Sequence, residues 1–240
     1  MGRRLLIPLI LCALAFGMMQ VNNRLLTVEN KPVTGSNLVQ VIQKVDPSVV
    51  YVEAQDYEGN RIWSGSGVII SEDGLVLTAA HVVDGAEKFK IVLSDGREFW
   101  SENAWHKSEI SDVGFIQLDT DEKLIVSSLG KSSILKRGED IFVIGCPFGY
   151  KFRFNVTKGI VSGLERDCDG FFGEKFILQV DAQTWPGNSG GPVYNMHGQI
   201  IGILVGGYGS ADGISLCIPV DIISGVLDIY IAEQTMIGVN

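Results

Sequence analysis

The sequence predicts an all-β protein built as a barrel or sandwich, and three observations carry the prediction. Short runs rich in Val, Ile and aromatic residues recur from residue 48 to residue 205. Turn pairs such as Asp73-Gly74, Asp95-Gly96 and His197-Gly198 separate many of them. No helical segments of about 10–15 residues alternate with the runs, as a parallel α/β sheet would require.

Composition narrows the class further. Of 240 residues, 46% are hydrophobic and 20% charged, ordinary globular values that exclude disordered and fibrous chains. A net charge of −9 without a Lys/Arg cluster argues against nucleic acid or an anionic membrane surface as the main partner. Residues 1–20 read as a targeting segment, because Arg3 and Arg4 precede an uncharged, mostly apolar run over residues 5–19. That run is long for a secretory segment and shorter than the ~20 residues that span a bilayer. Ala13-Leu14-Ala15 offers a small-residue cleavage site, whereas Phe16, Met18 and Met19 suit an uncleaved anchor. A cleaved signal peptide and membrane anchoring through residues 5–19 therefore both stand, and either sends the body out of the cytoplasm. Residues 21–36 read as a polar linker and 37–240 as one folded domain with no internal repeat.

The elements follow in order. Leu38, Val41, Ile42 and Val45 recur at helical spacing behind Asn37 as a cap, and Asp46-Pro47 stops that helix. Strands are expected at residues 48–54, 66–71, 75–78, 89–93, 113–119, 141–145, 156–162, 176–180, 191–195 and 199–205. The polar stretch 119–138 reads as a crossover between two halves. A final helix over 220–233 carries Ile222, Ile223, Val226, Leu227, Ile229 and Tyr230 back onto the body. Cys146, Cys168 and Cys217 lie in the body without metal-ligand spacing, so at most one disulfide can form. Cys217 is expected to be buried, and Cys168 to be the most reactive.

The chemistry concentrates in Trp185-Pro186-Gly187-Asn188-Ser189-Gly190-Gly191-Pro192. Such a glycine- and proline-rich segment is a poor helix and a poor strand, so a tight turn presents Ser189. A serine hydroxyl needs an adjacent base to become a nucleophile, and the amides of Gly187 and Ser189 are candidates to receive an oxyanion. The segment also satisfies G-x-S-x-G, the α/β-hydrolase elbow, so the partners must decide.

Three histidines compete for the role of base. His81 ends an apolar strand beside Ala79 and Ala80, whose small side chains allow close backbone approach; His106 reads as loop surface and His197 as a hairpin turn. Asp112, at the mouth of the strand Val113-Gly114-Phe115-Ile116, is the candidate orienting carboxylate.

Taken together, TAAHVV, SDVGFIQL and PGNSGGP resemble the three catalytic segments of chymotrypsin-like serine proteases. GSGVIISEDGLVLTAAHVV, IGCPFG and TKGIVSGLER are similar to the HtrA/DegP branch. The resemblance implies a double six-stranded β-barrel with an active site between the barrels, and a triad of His81, Asp112 and Ser189. It also implies a Gly187/Ser189 oxyanion hole, no metal or organic cofactor, and unfolded polypeptides as substrates in protein quality control or regulated proteolysis. An α/β-hydrolase would order its triad Ser, Asp, His, and only His197 follows this serine. Homo-oligomer formation is an expectation of the branch. No PDZ segment is read after the protease, so recognition of substrate carboxyl termini is not carried over. Asn188 stands where digestive relatives use an aspartate to pair with a newly cut amino terminus, which predicts activity without such a cut. Residues 147–154 and 165–173 are then the loops expected to order the oxyanion hole. By position, Gln183 lies at the base of the primary pocket, with Val205, Gly206 and Gly207 as a wall and edge strand. A neutral base predicts a small or medium apolar residue before the cleaved bond. The rival reading is a binding or holdase module on the same scaffold.

Overall fold

A computed structural model describes residues 38–106, 111–166, 177–209 and 212–237. Helix α1 (Leu38–Val45) leads through a 3-10 turn, Asp46–Ser48, into the first of two antiparallel sheets. That sheet comprises β1 (Val49–Gln55), β2 (Arg61–Ile69), β3 (Leu75–Thr78), β4 (Lys88–Leu93), β5 (Glu98–Ser101), β6 (Ala104–His106) and β7 (Gly114–Gln117), in the order β5-β4-β1-β2-β3-β7-β6. The second comprises β8 (Asp140–Gly145), β9 (Asn155–Arg166), β10 (Ile177–Val180), β11 (Pro192–Asn195), β12 (Ile200–Gly207) and β13 (Ser215–Pro219), closed in the order β10-β13-β12-β11-β8-β9.

The first sheet has seven strands where six are expected. The extra strand comes from a break in one chain run: β5 and β6 lie at opposite edges yet are separated only by Glu102 and Asn103. The Ser101 hydroxyl donates to the Gln117 carbonyl at 2.6 Å, and the Gln117 N–H donates to the Asn103 carbonyl at 2.9 Å. That bend pins the two edges together, so the ring closes through the chain itself. Strands β5, β6 and β13 go beyond the sequence reading. The first two are too short for a period, and β13 is buried along most of its length, so it does not alternate. His106 is accordingly half-buried in β6 rather than on a surface loop, with Nε2 at 3.6 Å from Asp84 Oδ1.

Strand β8 sits between two cores, which explains its unbroken apolar run. Ile141 and Val143 face the interior of the second barrel, whereas Phe142 and Ile144 join the core shared with the first sheet. Helix α3 (Val220–Ile237) starts from the second barrel and buries Val220, Ile223, Val226 and Tyr230 along one face. Tyr230 reaches the first sheet, its ring centroid 5.1 Å from Phe115 and 5.6 Å from Trp105. Trp105 Nε1 adds a hydrogen bond to Glu233 at 2.9 Å. The helix therefore straps one sheet to the other. Residues between β7 and β8 lead from the first sheet to the second, and Ser127 bonds both Ser48 of the first half, at 2.6 Å, and Tyr194 of the second, at 2.8 Å.

Cys146 and Cys217 are buried and free; burial pushes the Cys146 thiol up to about 11 and also raises that of Cys217. Cys168, Asn37 and residues 1–36 lie outside the described residues.

Candidate active site

His81 sits in α2 (Ala80–Val83), a single helical turn at the end of β3. Small residues bring that turn onto β7: a Cβ on Gly114 would meet the Ala79 carbonyl oxygen and Ala80 Cα, both at 3.3 Å. This approach sets His81 beside Asp112, which lies two residues before the start of β7 and is 3% exposed. Both carboxylate oxygens hold the same residue. Oδ1 accepts the His81 backbone N–H at 2.9 Å, and Oδ2 pairs with the ring Nδ1 at 2.7 Å. A buried carboxylate at Nδ1 favours the tautomer with its proton on that nitrogen, in which Nε2 is the basic nitrogen of the ring.

The Ser189 turn is anchored on every side. The Ser189 carbonyl accepts the Ser66 N–H of β2 at 2.8 Å, and the Gly190 N–H donates to the Leu204 carbonyl at 2.7 Å. The Ser66 hydroxyl donates to the Gly187 carbonyl at 2.8 Å while accepting the Cys146 N–H at 2.8 Å. Phe148 N–H donates to the Pro186 carbonyl at 2.8 Å. Because a trans peptide carries its carbonyl and N–H on opposite edges, that bond turns the Gly187 N–H away from Phe148. No group among the described residues accepts from the Gly187 or Ser189 N–H. Gly187 has φ +99°, and a Cβ there would lie 2.5 Å from the Cys146 carbonyl oxygen, so only glycine fits.

His81, Gly187 and Ser189 line one cleft of about 350 Å³, with Asp112 behind His81. Gln183 and Gly207 share a separate recess of about 150 Å³ with Ile214 and Ser215. Two parts of the expected wall differ. Val205 is 2% exposed and its side chain packs into the core, because a bulge lies between Leu204 and Gly206; Gly206 is half-buried in the strand. Asp212, absent from the sequence reading, also lines the recess from an exposed position. Strand β12 outruns β11 beyond Leu204, so among the described residues Gly206 and Gly207 pair only with β13, on one side, past the bulge at Val205. That leaves an open backbone edge near Ser189.

Of the two loops expected to order the turn, 147–154 does touch it: Phe148 makes the bond to Pro186, and its ring lies 6.3 Å from that of Trp185. Glu165 and Arg166 belong to β9, and residues 167–173 lie outside the described residues. Sequence reasoning missed Ser66. Its signal is the Gly65-Ser66-Gly67 run of small residues, but nothing in the sequence says what that run faces.

Two antiparallel barrels, a buried aspartate paired with a half-exposed histidine, and a glycine-caged serine lining the same cleft as that histidine define the chymotrypsin-like fold class. The chain belongs to the trypsin-like peptidase domain family, which matches residues 65–203. It is 40% identical over 181 residues to a probable periplasmic serine endoprotease, DegP-like, of Halomonas elongata, covering 73% of this chain and 36% of that protein. It is 35% identical over 193 residues to the serine protease Do-like HtrB of Bacillus subtilis, covering 72% and 42%. Among solved structures, the HtrA-type protease AlgW with tripeptide aligns with a TM-score of 0.73 at 28% identity, covering 80% of this chain and 62% of that one. The serine endoprotease from Yersinia pestis aligns at 0.72 and 27%, covering 83% and 68%. The chain thus spans 36% to 42% of the length of these two curated relatives.

Proposed function

We propose that this protein is a serine endopeptidase acting on unfolded polypeptides outside the cytoplasm, in HtrA-like quality control or regulated proteolysis. The observation that carries the reading is a histidine clamped twice by one buried carboxylate and lining the same cleft as Ser189. Ser189 Oγ attacks the peptide carbonyl while His81 Nε2 takes its proton, and Asp112 holds the imidazole in position as it becomes cationic. The Gly187 and Ser189 amides receive the oxyanion. The tetrahedral intermediate collapses as His81 returns the proton to the leaving amine, and water then repeats the sequence on the acyl-enzyme.

The open edge at 205–207 suits a substrate strand added by backbone hydrogen bonding, which favours unfolded chains over folded ones. Gln183 is neutral and the recess small, so a small or medium apolar residue precedes the cleaved bond. A peptide library tests this, and cleavage after Arg or Lys would instead assign control to Asp212. Asn188 is 4% exposed and uncharged, consistent with activity that needs no internal cut. The extracytoplasmic reading draws on residues 1–20 and on the name of the Halomonas relative. Homo-oligomer formation belongs to the same proposal. Labelling of the full chain with a serine-directed fluorophosphonate tests the central assignment. The adduct is expected on Ser189 and lost in His81→Ala; no adduct, or one that survives that substitution, would overturn it.

A further inference from the structure

The cleft that holds His81 and Ser189 has a second wall that the reaction does not use. Ile62 and Trp63 of β2 and Phe148 after β8 line it, and Trp63 is 60% and Phe148 63% exposed. Large apolar side chains left in water around one concavity mark a place where another apolar group docks. The chemistry fixes which half of a substrate that is. His81 must hand its proton to the departing amine, so the amine and the residues attached to it lie on the His81 side of Ser189. His81 lines this cleft, while Gln183 and Gly207 line the other recess, and the two share no residue.

Resting on the endopeptidase reading, we propose that Ile62, Trp63 and Phe148 form a subsite for the leaving-group side of the substrate, selecting an apolar or aromatic side chain within the first two residues after the cleaved bond. An extended chain advances about 3.3 Å per residue, so those two residues span the cleft from Ser189 outwards. Its volume of about 350 Å³ holds one or two side chains. Arg61 also lines the cleft and is exposed, so a Lys or Arg in the substrate meets like charge there.

Acyl transfer to added amines reads this subsite without the acyl side intervening. The full-length protein is acylated with a short activated ester, and amino-acid amides compete with water for the acyl group. The amine nitrogen bonds the acyl carbon as the ester bond to Ser189 breaks, and its proton passes through His81 to Ser189 Oγ. Phe-amide and Leu-amide should be captured about tenfold better than Gly-amide, and Lys-amide no better than Gly-amide. In Trp63→Ala that preference, read as the ratio of aminolysis to hydrolysis of the same acyl-enzyme, should fall to near parity. Ile62→Ser serves as a second variant should Trp63→Ala fold poorly. Acylation with equal capture of all four amides would overturn the subsite and leave the endopeptidase reading intact. Failure of any ester to acylate the protein would overturn both.

Discussion

The Ser66 hydroxyl of the first barrel donates to the Gly187 carbonyl of the second at 2.8 Å, and so fixes one end of the turn that carries the serine. The same oxygen accepts the Cys146 N–H at 2.8 Å. One hydroxyl therefore ties three chain segments together directly beneath the proposed oxyanion site, and the relation of the two barrels becomes part of the chemistry.

Ser66→Ala leaves the Gly187 carbonyl and the buried Cys146 N–H without this partner. We expect a loss of about 1–3 kcal/mol in unfolding free energy. The value of kcat should fall by about tenfold to a hundredfold, less than the ~10²–10³ of losing an oxyanion donor outright. Urea unfolding and steady-state kinetics on one preparation check both.

Asp112→Asn keeps the size of the side chain but removes the anion from His81 Nδ1. The amide holds the wrong tautomer, and kcat should fall by roughly 10⁴-fold with little change in KM. Peptide hydrolysis at saturating substrate measures it.

Tyr230 is the contact through which α3 grips the first sheet, packed on Phe115 and Trp105. Tyr230→Ala should destabilise the protein by about 3 kcal/mol. Thermal unfolding would show a lower Tm, and hydrogen exchange in β6 and β7 should rise.

The Cys146 thiol is held up to about 11 by burial, against an ordinary value of 9.0. The unfolded chain loses this proton first, so the native state binds more protons between those limits. Its stabilising contribution is complete below about pH 9 and is lost as pH rises through about 11, on the order of 2–3 kcal/mol in all. Urea unfolding at pH 8 and pH 10.5 should show wild type losing about 2 kcal/mol more than Cys146→Ala.

Much of this site is legible before any coordinates, because its parts are local. The glycines around Ser189 and the alanines before His81 state a turn and a close approach in the residues themselves. Asp112 is harder to read alone, since an acidic residue at a strand mouth is usually just solvated; it acquires meaning from its order with His81 and Ser189. The apolar runs mark most strands, but β5, β6 and β13 show no usable period. The open edge at 205–207 depends on where β11 stops, a long-range fact. So do the burial of Val205, the arrival of Asp212 and the bridging role of Ser66, each decided by a partner distant in sequence.

The central claim is that Ser189 attacks peptide bonds with His81 as its base, and proteolysis of unfolded casein by the full chain beside its Ser189→Ala variant tests it most directly. Fragmentation by wild type and none by the variant is the predicted result. An intact substrate with both proteins, or equal fragmentation by both, would contradict it.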